Sequence, residues 1–284
     1  MVLGGIHASD GRDKLMFSAA AKLEGSGELL YMFGGRSSPF HPSSILSVMN
    51  LRTGATNEIN CQGKLRPAAR WKHSLSWTED DQLVLVGGRD RFRSFSDVWA
   101  FDIKSMRWTL LKKLPHGLHS HSAAVWRNSG TDKSVIIISG GLKGNGILSA
   151  NSNIYVMKVG GLTDVIRTSG PFISRFGHTS HVHRSKLFLV GGVATSGGQQ
   201  PGVCVVDLIT GASVELELET GVPAADVCLY NHDSCLQEEG ERPRILVFGG
   251  GGNCFSFGSH FSKYSLEIDL ATARERVNKE NNNA

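Results

Sequence analysis

Short apolar runs ending in paired glycines recur at five places along the chain, at 29–35, 83–88, 135–141, 187–192 and 245–250. Runs of this length bounded by turn residues predict buried strands. The first glycines of the pairs, Gly34, Gly87, Gly140, Gly191 and Gly249, stand 53, 53, 51 and 58 residues apart. A fixed period of about 50 residues marks a repeat architecture in which one supersecondary unit is copied along the chain. The second unit shows its parts best. A strand is expected from about 72 to 77, a polar turn over 78–82, then the glycine-ended strand and a loop over 89–96. The alternating stretch Asp97-Val98-Trp99-Ala100-Phe101-Asp102 and, after a short turn, Trp108-Thr109-Leu110-Leu111 supply two more strands. Four strands joined by hairpins make one propeller blade. A further Leu3-Gly4-Gly5 lies only 30 residues before Gly34, too close for a whole blade, so the chain is expected to begin inside one.

Within that unit the diglycine is followed by an aromatic residue and a tryptophan separated by six residues, Phe101 and Trp108. This resembles the kelch repeat. The likeness is complete in this blade alone, because the matching stretches at 45–51, 153–157, 203–208 and 264–270 lack the tryptophan. The resemblance implies an all-β, kelch-type β-propeller of five to six four-stranded blades, one of them incomplete if a segment precedes the chain. The propeller is expected over 1–272, with a polar, disordered tail over 273–284.

Composition changes this picture little. Glycine, at 34 of 284 residues, is well above its usual share of about 7%, as a repeat built on glycine pairs requires. A net charge of +4 is compatible with a polyanionic partner without demanding one. The five cysteines, Cys61, Cys204, Cys228, Cys235 and Cys254, are scattered, odd in number and free of any C-x-x-C pair, which reads as a reducing compartment. No signal peptide or long apolar span is present in the sequence, so a soluble cytoplasmic protein without a membrane partner is expected.

Three first strands begin with a similar phrase: Arg70-Trp71-Lys72-His73-Ser74, Leu118-His119-Ser120-His121-Ser122 and Arg175-Phe176-Gly177-His178-Thr179. His73, His121 and His178 are therefore candidates to line a central channel, although an imidazole and a hydroxyl at a repeated position also serve to satisfy groups between blades. By two-residue periodicity His119 and His121, and His181 and His183, would share strand faces, but neither pair has the further ligands a metal needs. Cys228, His232 and Cys235, with Asp226 and Asp233 nearby, form a compact group that lacks the spacing of a zinc site. There is no Gly-x-Ser-x-Gly elbow, no phosphate-binding P-loop, and no Gly-x-Gly-x-x-Gly opening a helix. No catalytic residue and no metal ligand is assigned. The loop Arg89-Asp90-Arg91-Phe92-Arg93 alternates cations with an aromatic ring, as RNA contact through phosphates and stacked bases requires. Arg36 and Lys143 occupy equivalent loops.

The stretch at 246–261, containing Asn253, Cys254, Phe255, Ser256, Phe257, Gly258, Ser259 and His260, exceeds what a blade needs. With Arg70-Trp71-Lys72-His73-Ser74-Leu75, Leu85-Val86-Gly87-Gly88-Arg89, Trp108-Thr109-Leu110-Leu111 and Leu114-Pro115-His116-Gly117-Leu118, it resembles the kelch region of the wybutosine-synthesising carboxyl methyltransferase family. The resemblance implies a place in maturing a hypermodified guanosine beside the anticodon of phenylalanine tRNA. That family uses S-adenosylmethionine to methylate a side-chain carboxyl and to methoxycarbonylate an amine. Its N-terminal methyltransferase domain has no counterpart in this sequence, so the chain is expected to bind no cofactor itself. Its expected partners are tRNA(Phe) or a pathway methyltransferase acting in trans, and not DNA. The expected contacts are Arg36, Arg89, Arg91, Phe92, Arg93, Lys143, Asn253, Phe255, Phe257 and His260. The alternative is a protein-interaction adaptor with no RNA role.

Overall fold

A computed structural model describes residues 15–22, 28–38, 40–78, 81–127, 134–144, 149–158, 161–195, 201–218, 226–238, 243–254 and 258–270. Contacts divide the chain into two compact units, Gly5–Val165 and Ile166–Ala284. The first holds three four-stranded antiparallel sheets. Blade one runs Ala19–Lys22, Leu29–Phe33, Leu46–Asn50 and Thr56–Glu58. Blade two runs Ser74–Thr78, Gln82–Val86, Asp97–Asp102 and Arg107–Lys113. Blade three runs Ser122–Arg127, Ser134–Ser139, Ile154–Lys158 and Gly161–Ile166, whose last residue falls at the start of the next unit. In the second unit, blade four runs Thr179–His183, Lys186–Val190, Val203–Asp207 and Ser213–Leu216. Blade five has three described strands, Asp233–Gln237, Arg244–Phe248 and Leu266–Asp269. This is the blade order of a kelch β-propeller, with five blades among the described residues. The Leu3-Gly4-Gly5 motif and the 273–284 tail lie outside the described residues.

The apolar runs are continuous because the middle strands are covered on both faces. In Gln82–Val86, Leu83 and Leu85 pack with Tyr31, Phe33, Leu46 and Trp99 toward blade one. The intervening Val84 and Val86 pack with Ile136, Ile138, Tyr155 and Met157 toward blade three. Each fully buried aliphatic or aromatic side chain contributes about 1.5–3 kcal/mol. Blades four and five are sealed in the same way by Phe188, Val190, Val205, Ile245 and Val247. First strands lie side by side within the first unit, Ala19–Lys22 against Ser74–Thr78, and Ser74–Thr78 against Ser122–Arg127.

Phe101 and Trp108 face each other directly across adjacent strands. Their ring centroids are 5.1 Å apart, and Trp108 also meets Phe33 edge-on at 5.4 Å. Such pairs add about 0.5–1.5 kcal/mol beyond burial, so the motif ties the outer strand of blade two to blade one. The first strand of that blade starts at Ser74, two residues later than the pattern implies, because Lys72 adopts φ 55° and cannot lie in an extended strand.

Candidate functional site

Every blade turns outward through its glycine pair, and all ten of these glycines have positive φ. At Gly87, φ is 56° and a Cβ would stand 2.3 Å from the Leu118 carbonyl oxygen, which excludes any side chain. The chain emerging from the pair then makes a short backbone ladder with the segment preceding the same blade's first strand. Arg36 pairs in this way with Met16, Arg89 with Trp71, and Leu142–Lys143 with Leu118–His119. The next residue flips into the left-handed region: Phe17 (φ 58°), Lys72 (φ 55°) and Ser120 (φ 55°). The Lys72 N–H donates to the Phe17 carbonyl (3.1 Å) and the Ser120 N–H to the Lys72 carbonyl (2.9 Å), linking successive blades edge to edge. Gly177 and Asn231 repeat the device in the second unit.

These ladders gather side chains far apart in sequence. The Arg36 guanidinium lies 4.9 Å from the Trp71 ring centroid and 5.3 Å from that of Phe17. Lys72 Nζ lies 5.0 Å from the Phe17 ring and Arg89 Cζ 6.0 Å from the Trp71 ring. Burial, reinforced by Arg36 and Arg89, pushes the Lys72 ammonium down to about 8. His119, buried beside Arg89 and Lys72, is pushed down to about 3, chiefly by desolvation. It is therefore neutral near pH 7.

Further out, the loop after Gly88 is fixed by Asp90, whose Oδ1 accepts hydrogen bonds from the Phe92 and Arg93 N–H groups, both at 2.8 Å. This holds Arg91 between two rings, 4.4 Å from Phe40 and 5.4 Å from Phe92. Phe40 and Phe92 are 60% and 76% exposed, surfaces on which a planar group has room to stack. Arg93 lies over Phe95 at 4.9 Å and 3.7 Å from the Asp90 carboxylate. The structure thus joins Arg36 to Arg89, and Arg91 to Phe92. Lys143 is half-buried in the ladder of blade three and makes none of these ring contacts among the described residues. Phe17, Phe40, Trp71 and Lys72 are members that sequence reasoning did not single out.

His73, His121 and His178 are buried, and the structure places the first two between blades. The His121 Cβ lies over Gly141 of its own blade, and its ring covers Gly87 of the preceding one. His73 covers Gly88 and Gly34 alike. His121 Nε2 is 2.9 Å from the Ser74 hydroxyl. His232 belongs to the same series: it covers Gly250 and Gly191, and its Nε2 is 3.0 Å from the Thr179 hydroxyl. Its signal was the fourth copy of the phrase, Tyr230-Asn231-His232-Asp233, which the neighbouring cysteines obscured. Burial pushes His73 down to about 3 and both His121 and His232 down to about 4. His119 and His121 do not share a strand face, because Ser120 with φ 55° breaks the alternation between them. His181 and His183 do alternate along Thr179–His183, where the first meets the Ser234 hydroxyl at 2.7 Å and the second Glu238 at 2.8 Å. No group of three or more His, Cys, Asp or Glu side chains among the described residues is placed to hold a metal.

Two fully buried arginines anchor the blades. Arg70 makes two bonds to the Asp97 carboxylate (2.6 and 2.9 Å), one to the Gly87 carbonyl (2.9 Å) and one to the Ala68 carbonyl (2.9 Å), beneath Phe95 at 4.0 Å. Arg175 repeats this with Glu215 and the Gly191 carbonyl. In blade three Asn151 Nδ2 takes over, donating to the Gly140 carbonyl at 3.2 Å. In the second unit, the backbone at Asn253 pairs with Ser259 and that at His260 with Gly252, within the hairpin Gly251–Cys254 and Gly258–Phe261. Phe255 and Phe257 lie outside the described residues.

A family model described as the KLHDC2/KLHL20/DRC7 Kelch-repeats domain matches residues 12–192. The chain is 31% identical to human tRNA wybutosine-synthesizing protein 4 over 259 residues, covering 85% of this chain and 36% of that protein. The rat protein of the same name is 31% identical over 258 residues, with the same coverage. Adagio-like protein 3 of Oryza sativa subsp. japonica is 30% identical over 191 residues, 66% of this chain and 29% of the relative. The chain therefore spans little more than a third of the length of the wybutosine-synthesizing relatives it matches.

Proposed function

For a chain that belongs to the kelch-repeat family, we propose a binding role in wybutosine synthesis, in which the propeller positions tRNA(Phe) or the partner enzyme for the final carboxyl methylation and methoxycarbonylation. The observation that carries the reading is the basic and aromatic surface of the first unit, Arg36, Lys72, Arg89, Arg91, Phe40 and Phe92, on a chain similar along 85% of its length to a tRNA wybutosine-synthesizing protein. Cations placed on rings, beside exposed rings, suit phosphates and splayed bases together. The setting is the cytoplasm.

S-adenosylmethionine is the methyl donor the family implies. In this reading the methyltransferase acts from another polypeptide or domain, and the contribution of the propeller is positioning.

Deleting the gene and analysing nucleosides of phenylalanine tRNA by mass spectrometry tests the role. Accumulation of the free-carboxyl precursor of wybutosine is the expected result. Unchanged wybutosine would remove the RNA pathway and leave an interaction adaptor.

A further inference from the structure

Cations brought together and partly desolvated without a counter-charge cost free energy that an incoming anion offsets. Arg36 and Arg89 form such a pair, with Lys72 beside them. Phe17 is shared by Arg36 and Lys72, and Trp71 by Arg36 and Arg89, so two rings hold three positive charges together. Among the described residues neither Arg36 nor Arg89 forms an ion pair with a carboxylate. Arg36 Nε is buried with no hydrogen-bond partner there. The arrangement is held by backbone, not by side-chain chance: Arg36 and Met16 exchange two hydrogen bonds (2.8 and 2.9 Å), as do Arg89 and Trp71 (both 2.9 Å). From this group the chain leads directly to the exposed rings, Phe40 in the hairpin that Arg36 opens and Phe92 three residues beyond Arg89.

We propose that Arg36, Lys72 and Arg89, backed by Phe17 and Trp71, hold one phosphate of a single-stranded RNA, while Phe40 and Phe92, on either side of Arg91, give an unpaired base of that strand a stacking surface. The proposal rests on the RNA reading above and narrows it. A duplex keeps its base faces against one another and has no use for exposed rings, whereas a single strand offers both a backbone charge and a free π-face. The lowered Lys72 ammonium fits this role. Arg36, Arg89 and a neutral His119 are among the described groups facing it, and a phosphate placed beside them favours the protonated amine. Binding then takes up a proton, and affinity falls as pH rises through about 8.

Fluorescence anisotropy of the full chain with a labelled mixed-sequence RNA of about a dozen nucleotides, with tRNA(Phe) and an RNA duplex as competitors, tests this. Replacing both arginines (Arg36→Gln with Arg89→Gln) should lower the steepness of log affinity against log salt by about 0.7 for each phosphate no longer neutralised. Phe40→Ala with Phe92→Ala removes the stacking surface on either side of Arg91 but no charge, and should weaken binding about tenfold or more with the salt slope unchanged. The unaltered chain should lose about tenfold in affinity between about pH 7 and pH 9, and Lys72→Met should flatten that dependence. If tRNA binds and the double glutamine variant keeps the full salt slope, or if duplex competes as well as single strand, the phosphate site is wrong while the RNA reading stands. If the unaltered chain binds no tRNA at low salt, the RNA reading itself fails.

Discussion

Acidification from about pH 7 to pH 5 should destabilise the blades through their buried histidines before any carboxylate titrates. His73, His121 and His232 wedge between a glycine of one blade and a glycine of the next, in space that leaves an imidazolium without water. Burial lowers them to about 3, 4 and 4, while an unfolded histidine titrates near 6.5. The sign follows from proton counts: below pH 6.5 the unfolded chain binds protons that the folded chain refuses, so stability is full above that value and falls as pH drops below it. At pH 5, about 1.5 units below the unfolded value, each ring costs about 2 kcal/mol. The first unit, with His73, His121 and the equally depressed His119, would lose about 6 kcal/mol, a large part of the 5–15 kcal/mol typical of a domain. Asp97 adds nothing in this window, because Arg70 holds its carboxyl below the ordinary carboxylate value and its contribution fades only at lower pH. Urea unfolding followed by tryptophan fluorescence at pH 7, 6 and 5 should show the midpoint falling steadily. In His121→Gln the dependence should be shallower by one proton's worth. A midpoint that does not move over this range, or a His121→Gln variant with the unaltered pH slope, would refute the reasoning.

Three other outcomes follow from the same geometry. Arg70→Ala leaves Asp97 and the Gly87 carbonyl without their buried partner and should cost about 3–5 kcal/mol by urea denaturation. Gly87→Ala should prevent folding, read as loss of soluble protein, because its Cβ meets the Leu118 carbonyl; Gly54→Ala, at φ 72° with open space around it, should cost only about 1–2 kcal/mol. Arg91→Ala with Arg93→Ala should weaken tRNA association while shifting stability by no more than about 0.5 kcal/mol per site, since both side chains are exposed. Unchanged tRNA affinity would take this loop out of the interface.

The blades were legible because burial on both faces writes itself as an uninterrupted apolar run, as in Leu83-Val84-Leu85-Val86, and because each run must end where only glycine fits. Phe101 and Trp108 were legible because a cross-strand pair fixes their spacing. The ion pair of Arg70 with Asp97 was not, since 27 residues separate them and either reads alone as a surface charge. Nor was the face of the first unit. Two-residue periodicity assumes an extended chain, and the left-handed residues Phe17, Lys72 and Ser120 break it where that face is built. Phe17, Trp71 and Phe40 therefore read as ordinary strand or turn residues, although they carry the cations.

The repeat itself separates scaffold from function. Positions that recur from blade to blade have a structural reason to recur: glycine pairs for the outward turn, a histidine over them, a left-handed residue before it, and a side chain capping the Gly87, Gly140 or Gly191 carbonyl. Blade assembly does not account for the charges that depart from this pattern. The residue after the diglycine is arginine in blades one and two but Leu142, Val193 and Gly251 afterwards, and the left-handed position is lysine only in blade two. A fold that needed charge at these sites would show it in every blade. Charge concentrated on two neighbouring blades, over rings and, among the described residues, without carboxylates for Arg36 and Arg89, is the arrangement that the proposed RNA site calls for.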